Sequence, residues 1–243
     1  MKLVERWYSG RVYQDVTVVR WGHFGQPVIV FPTAGGDAEE IERMGLLDAL
    51  GGLLEAGRIK VYSCDSVAGA AIMRGEGSAG YRGALLKAYQ EFARYEMVPA
   101  VRADCLSPEI SVVTAGASVG AFNAVSMLCR FPDAVTAAVG MSGTYDIARF
   151  VGSGAGEELY FATPLYFLPG LNGGHLDALR SRFVILASGE GRWENVGESW
   201  RMADALGSKG IPNRVDAWGP DYDHDWPTWR RMLPQYLAEL TGG

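Results

Sequence analysis

Five residues, Gly116-Ala-Ser-Val-Gly120, constrain this chain more than any other stretch. They have the form G-x-S-x-G. An apolar run, Ser111-Val-Val-Thr-Ala115, precedes them, and a helix-like run, Ala121 to Arg130, follows. A strand that turns directly into a helix leaves little room beside the turn, so the flanking positions must be small. The residue at the tip is lifted clear of the sheet with its side chain exposed. A serine there can attack a carbonyl carbon. The free N–H groups of the helix's first turn lie where a developing oxyanion needs donors.

The rest of the chain supplies a sheet for that turn to sit on. Pro27-Val-Ile-Val-Phe31 and Arg182-Phe-Val-Ile-Leu-Ala187 are continuous apolar runs of the length of buried strands. Arg11 to Trp21 reads as a half-exposed edge strand, and Lys60-Val-Tyr-Ser-Cys64, Ala134 to Met141 and Asn213 to Trp218 as further strands. Helical spacing marks 38–54, 81–101, 198–206 and 226–240 between them. Alternation of this kind predicts a mainly parallel central sheet with helices on both faces, an α/β architecture. No repeat, linker or low-complexity tract divides the chain, which reads as one domain over 1–243. Residues 144–181 are rich in Gly and Pro without a strong period and read as a small irregular lid insertion.

Composition narrows the function. The net charge of -6, with no dense Lys/Arg cluster, argues against a nucleic-acid partner. No apolar run approaches the roughly 20 residues of a membrane span, and the N-terminus has no apolar core of a signal peptide. Cys64, Cys105 and Cys129 are odd in number and widely spaced. They read as reduced, mostly buried thiols of a cytoplasmic protein.

A serine nucleophile needs a base, and the base needs an orienting acid. Only His23, His175 and His224 are available. His224 follows the last predicted strand, in Gly219-Pro-Asp-Tyr-Asp-His-Asp-Trp-Pro227, where loops gather at the carboxyl edge of a parallel sheet. His23 precedes a strand and His175 lies in the insertion, so His224 is the expected base. The acid is expected after the strand ending at Ala187, in Ser188-Gly-Glu-Gly-Arg-Trp-Glu194, where Glu194 is preferred and Glu190 is the alternative. For the oxyanion, Val119 N–H is one expected donor. Ala34, in Phe31-Pro-Thr-Ala-Gly-Gly-Asp37, is the second, with Thr33 as the alternative.

These pieces, together with Phe131-Pro-Asp133 and His224-Asp-Trp-Pro-Thr-Trp229, span residues from about 28 to 240. In this order they resemble the α/β-hydrolase superfamily. More narrowly, they look like the group of serine esterases that includes esterase D-like enzymes and mycolyltransferases. The resemblance implies Ser118 as nucleophile, His224 as base, the N–H groups of Val119 and Ala34 as oxyanion hole, and neither metal nor organic cofactor. Many relatives carry an Asp three residues after the glycine of the acid loop, where this chain has Arg192. Mycolyltransferase-like members use a Glu slightly later, which matches Glu194. The implied partner is a small-molecule ester and the implied reaction is hydrolysis. Acyl transfer and thioester hydrolysis are alternatives on the same fold, and a non-catalytic binding protein is the alternative of another class.

Three further features remain open. Asp221, Asp223 and Asp225 alternate as in a calcium loop but lack its Gly and distal Glu, so they read as a polar loop around His224. Trp193, Trp200, Trp218, Trp226 and Trp229 crowd the acid and base loops and read as packing, with a pocket lining as the alternative. Met141-Ser142-Gly143 also reads as packing, with a reach to the cleft edge as the alternative.

Overall fold

The structure, a computed structural model, describes residues 1–242. In chain order its elements are β1 (Lys2–Ser9), β2 (Gln14–Trp21), β3 (Gln26–Phe31), α1 (Glu40–Arg43), α2 (Leu46–Ala49), α3 (Gly51–Glu55), β4 (Ile59–Cys64), α4 (Val67–Met73) and α5 (Ala79–Phe92). A π turn (Ala93–Met97) leads into α6 (Val98–Asp104), followed by β5 (Val112–Ala117), α7 (Val119–Arg130) and β6 (Val135–Met141). Next come α8 (Ala148–Val151), α9 (Gly156–Ala162), α10 (Pro164–Phe167), a 3-10 turn and α11 (Gly173–Leu179). The chain ends with β7 (Phe183–Ser188), α12 (Val196–Gly207), β8 (Asn213–Ala217) and α13 (Trp226–Leu240).

All eight strands form one sheet in the order β1-β2-β4-β3-β5-β6-β7-β8. The six strands from β4 to β8 in that order are parallel; β2 pairs antiparallel with β4, and β1 antiparallel with β2. This is the mainly parallel sheet with helices on both faces that the alternation predicts. Successive strand residues point to opposite faces. Ile29 and Phe31 of β3, Ala138 of β6 and Leu186 of β7 join the core formed with Phe122 and Val125 of α7 and Met202 of α12. Val28, Val30, Ala115, Val139 and Ile185 join the other, with Ile41, Leu50, Met232 and Tyr236. Burial of each such aliphatic chain stabilises the fold by about 1.5–3 kcal/mol. The sheet is thereby fixed from both sides, and the loops at its carboxyl edge inherit that rigidity.

Several elements differ from expectation for local reasons. β1 is absent from the sequence reading because it is exposed along most of its length and has no buried alternation. Its Lys2, Glu5 and Arg6 keep the outer edge charged, which discourages pairing with another chain. The helix expected over 38–54 is three short helices. The chain turns at Gly45 with φ 72, although Ile41, Leu47 and Leu50 still reach the core. The long helix expected over 81–101 runs further in both directions and carries a π turn just before Pro99, whose missing N–H and ring bulk an unbroken α-helix would not accommodate. Residues 144–181 hold four short helices rather than irregular chain. They are fastened down: Arg82 donates to Val151 O from Nε and Nη2 (3.1 and 2.9 Å), Gln90 to Ala162 O (3.1 Å), and Asp146 pairs with Arg201 (2.8 Å).

The antiparallel edge is tied to α6 by one carboxylate. Asp104 takes charge-assisted bonds from Arg20 of β2 and from Lys60 of β4 (2.5 Å), and the Tyr62 hydroxyl donates to it at 2.6 Å. Burial opposes its ionisation, but the bonds from Lys60, Tyr62 and Arg20 outweigh that and hold it below the ordinary value. Only 6% of the Lys60 side chain is accessible. Asp104→Asn leaves that ammonium uncompensated and is expected to cost about 3 kcal/mol in urea unfolding at pH 7. Because the folded-state value is depressed, the contribution is full above the unfolded value of about 3.9 and disappears as pH falls through the folded value. The gap between variant and wild type should therefore close on acidification. A gap that persists at low pH would refute the electrostatic account.

Candidate active site

Ser118 occupies the turn between β5 and α7 with φ 57 and ψ -120, a backbone region that non-glycine residues rarely adopt. Its neighbours show why. A Cβ on Gly116 would lie 2.3 Å from the Gly120 carbonyl carbon, and one on Gly120 would lie 2.4 Å from Phe31 O and 2.7 Å from Pro32 O. Helix α7 thus starts against the backbone of β5 and the end of β3, and only hydrogen atoms fit at the crossings. The turn is held by hydrogen bonds from Ser118 N to Met141 O (3.0 Å) and from Thr144 N to Ser118 O (3.4 Å). The side chain at its tip is partly exposed, and the next N–H groups begin α7.

Two loops on the same carboxyl edge bring the expected acid and base together. The Nδ1 atom of His224 lies 3.6 Å from Oε2 of Glu194. Glu194 is 1% exposed and His224 23%, so the carboxylate is buried behind an accessible imidazole. Glu190 lies on the outside of the same turn and is exposed. The turn between them explains the difference: Trp193 takes φ 66, which sends its indole outward (86% exposed) and the next side chain inward. The two loops are laced together. Gly191 N donates to Tyr222 O (3.0 Å), His224 N to Arg192 O (2.9 Å) and Arg192 N to Asp223 Oδ1 (2.7 Å), while the Arg192 guanidinium pairs with Asp223 Oδ2 (3.0 Å). The Arg192 backbone N–H, then its side chain, hold the Asp223 carboxyl below its ordinary value. Asp225 caps α13 through Trp226 N (2.7 Å). These two aspartates therefore position the loop that carries His224, as the polar-loop reading expects.

Hydroxyl groups the sequence reading did not assign surround Glu194. Ser142, just after β6, donates to Oε1, and Ser188 at the end of β7 lies 3.2 Å from Oε2. Trp229 Nε1 donates to Ser142 Oγ at 2.9 Å, and its ring meets His224 edge to face with centroids 5.2 Å apart. Met141 and Ser142 are buried, as the packing reading expects, and the Ser142 hydroxyl is engaged with Glu194. Trp229 is buried, Trp218 bonds Tyr236 OH (2.7 Å), and Trp193 and Trp200 are exposed. The tryptophans therefore do not share one role.

After β3, the Thr33 and Ala34 alternatives are no longer equivalent. Thr33 N donates to Glu40 Oε2 at 2.8 Å and its hydroxyl to Oε1 at 2.6 Å. Ala34 N–H meets no acceptor among the described residues, and it is partly exposed. Glu40, at the start of α1, shapes this loop, and seven residues separate it from Thr33 with no motif to announce it. The remaining histidines lie elsewhere: His23 precedes β3 at the opposite edge, and His175 Nε2 is 2.8 Å from Cys129 O.

No protein-family model matches the sequence, and no curated protein sequence matches it. Solved structures do match the fold. It is that of an α/β-hydrolase. A ferulic acid esterase superimposes with a TM-score of 0.77 at 16% identity, covering 99% of this chain and 97% of that one. An S-formylglutathione hydrolase from Agrobacterium tumefaciens gives 0.70 at 12%, covering 100% and 96%. A fluorophosphonate-binding serine hydrolase F from Staphylococcus aureus, with substrate bound, gives 0.66 at 13%, covering 100% and 99%. The α/β-hydrolase resemblance drawn from the ordered motifs therefore holds at the level of the fold.

Within this fold the elbow glycines carry a direct test. Gly120→Ala forces a methyl group onto the backbone oxygens of Phe31 and Pro32, where no flexible side chain can give way. Overpacking of this kind costs about 1–3 kcal/mol. Urea unfolding of Gly120→Ala is expected to show that loss. Wild-type stability would contradict the close approach.

Proposed function

We propose that this chain is a serine-dependent carboxylic-ester hydrolase that works through an acyl-enzyme on Ser118. The observation that carries the reading is the strained elbow at Ser118 on the same sheet edge as a buried carboxylate paired with an accessible imidazole. That carboxylate belongs to Glu194 and the imidazole to His224. The esterase and serine-hydrolase structures of the same fold support it.

In this mechanism Ser118 Oγ attacks the ester carbonyl while His224 Nε2 takes the hydroxyl proton. The resulting imidazolium is stabilised by Glu194, which also keeps the Nδ1 proton on the side away from the serine. The negative charge that develops on the carbonyl oxygen is received by Val119 N–H, in the first turn of α7, and by Ala34 N–H. The bond to the leaving alcohol then breaks and His224 returns the proton to its oxygen. Water, deprotonated by the same imidazole, attacks the acyl-enzyme and releases the acid and free Ser118. No step needs a metal or organic cofactor. The same machinery would open a thioester, a reading favoured by the S-formylglutathione hydrolase of like fold.

Placement in the cytoplasm belongs to the proposal too. All three cysteines are unbridged, and burial pushes the Cys64 thiol up to about 12, so it stays protonated and unreactive. No helix among the described residues is long and apolar enough to cross a membrane.

A fluorophosphonate probe with peptide mapping tests the nucleophile. The expected result is one adduct on Ser118, absent from Ser118→Ala. A folded wild-type protein that takes no label would favour the binding-protein alternative. The acid is tested with 4-nitrophenyl acetate: Glu194→Gln should lower turnover by about tenfold or more, since a hydrogen bond to a charged group is at stake. Glu190→Gln should stay within about twofold of wild type on the same scale. The reverse pattern would move the acid to Glu190.

A further inference from the structure

We infer that Ser142 is a positioning residue for the acid: its hydroxyl, oriented by the indole N–H of Trp229, fixes the Glu194 carboxylate so that Oε2 faces His224. The inference rests on the serine, histidine and glutamate roles proposed above.

The direction of each hydrogen in this chain follows from donor chemistry. An indole N–H can only donate, and a serine hydroxyl has one hydrogen. Trp229 Nε1 points at Ser142 Oγ from 2.9 Å, so it takes a lone pair of that oxygen. The Ser142 hydrogen is left for Glu194 Oε1, its other close neighbour. The order is therefore Trp229 N–H to Ser142 O–H to Glu194 Oε1, with each bond polarising the next. Ser188 does not do the same work. Its Oγ faces both Gly189 O at 2.9 Å and Glu194 Oε2 at 3.2 Å, so its one hydrogen is divided between two acceptors and favours the nearer.

The backbone at Ser142 points the same way. Its φ is 48, a left-handed conformation at a buried site, and its N–H is pinned to Ala187 O at 2.7 Å. Glycine would adopt this conformation with less strain. A serine here keeps a costly backbone and supplies a hydroxyl, and that hydroxyl has only the acid and the indole to serve. Trp229 meanwhile touches the base with its ring and the acid's partner with its N–H, so one side chain sets both halves of the pair.

Other charged groups around the acid are engaged elsewhere. Asp223 is bound to Arg192, and Asp225 caps α13. Glu198 of α12 accepts from the N–H groups of Tyr145 and Asp146, and Asp146 pairs with Arg201. Among the described residues, His224 is the only basic side chain within 4 Å of the Glu194 carboxylate.

Removing the Ser142 hydroxyl has two consequences. The carboxylate loses the bond that fixes its rotation, so the imidazole is held less often in the productive orientation. Its negative charge is also shared with fewer donors, which favours protons on the coupled acid and base. The imidazolium form then persists to higher pH, and the acidic limb of the rate moves upward. Ser142 lies behind the acid, so substrate binding should not change.

Four variants test this by 4-nitrophenyl acetate hydrolysis and by the rate of fluorophosphonate labelling across pH: Ser142→Gly, Ser142→Ala, Trp229→Phe and Glu194→Gln, with thermal melting as a check of folding. Both Ser142 variants are expected to lose about tenfold in kcat with KM within about twofold. Their acidic limbs should lie at higher pH than wild type, in both assays. Trp229→Phe keeps a ring against His224 but removes the N–H, and should shift the limb in the same direction by less. Ser142→Gly separates hydroxyl from backbone, since it suits the left-handed conformation. If it matches wild type in kcat and limb while Glu194→Gln is impaired, the inference falls and the triad stands. A loss of kcat without movement of the limb makes Ser142 a packing residue and overturns the inference too. If Glu194→Gln is itself unimpaired, the triad reading fails and carries this one with it.

Discussion

The contact on which the site depends is one backbone meeting another. Helix α7 begins where Gly120 lies against the carbonyl oxygens of Phe31 and Pro32, with Gly116 beneath it. That approach is possible only without side chains, and it leaves the intervening Ser118 in a left-handed conformation with its side chain raised. Strain of this kind persists only where the surroundings over-determine it. Here they do. Strand β5 is paired on both sides along its length, and the Ser118 amide and carbonyl are bound by Met141 and Thr144. Met141 ends β6 and Thr144 opens the helical insertion, so the same bonds that hold the serine also set where the insertion leaves the sheet.

A second constraint is the burial of Glu194. A carboxyl side chain with 1% exposure is tolerable only if its oxygens have polar partners. The chain meets that demand at Oε1 with the Ser142 hydroxyl, while Oε2 faces the Ser188 hydroxyl, shared with Gly189 O, and the His224 imidazole 3.6 Å away. Those partners are placed by the parallel register, since β6, β7 and β8 end side by side. The Arg192–Asp223 pair is of a different kind. It is exposed, and such pairs contribute little to stability, but it closes the Glu194 and His224 loops on each other together with three backbone bonds. The proposed chemistry thus draws on rigid strand ends for its precision and on loop-to-loop bonds for its closure.

What was legible in the sequence follows from how local each signal is. The buried strands β3, β5, β6 and β7 announce themselves as apolar runs because both faces are covered. The elbow is legible because its steric demand acts within five residues. Edge strand β1 is not, because its pairing with β2 rather than its own pattern makes it a strand. The choice between Glu190 and Glu194 stays open in the sequence because both carry the same carboxylate in one loop. Which of the two side chains turns toward His224 follows from a single dihedral at Trp193, and nothing about a tryptophan forecasts a positive φ. Likewise Thr33 and Ala34 are equivalent until Glu40 folds back to occupy the first of them.

The position of Ser142 after a strand is legible in the sequence, but its partners are an indole 87 residues later and a carboxylate 52 residues later. The first separation is spanned by the closing of α13 onto the sheet, through Met232, Leu233 and Tyr236 in the core shared with Ala115 and Val139, and the second by the pairing of β7 beside β6. The helix that completes one hydrophobic face therefore also delivers Trp229 to the site. Packing and polar positioning are one event here: the apolar side of α13 seats the helix, and the seated Trp229 N–H leaves the one hydrogen of Ser142 for Glu194. A change in that core far from Ser118 would reach the site through Trp229 before it reached the elbow, which is held independently by the backbone of β3.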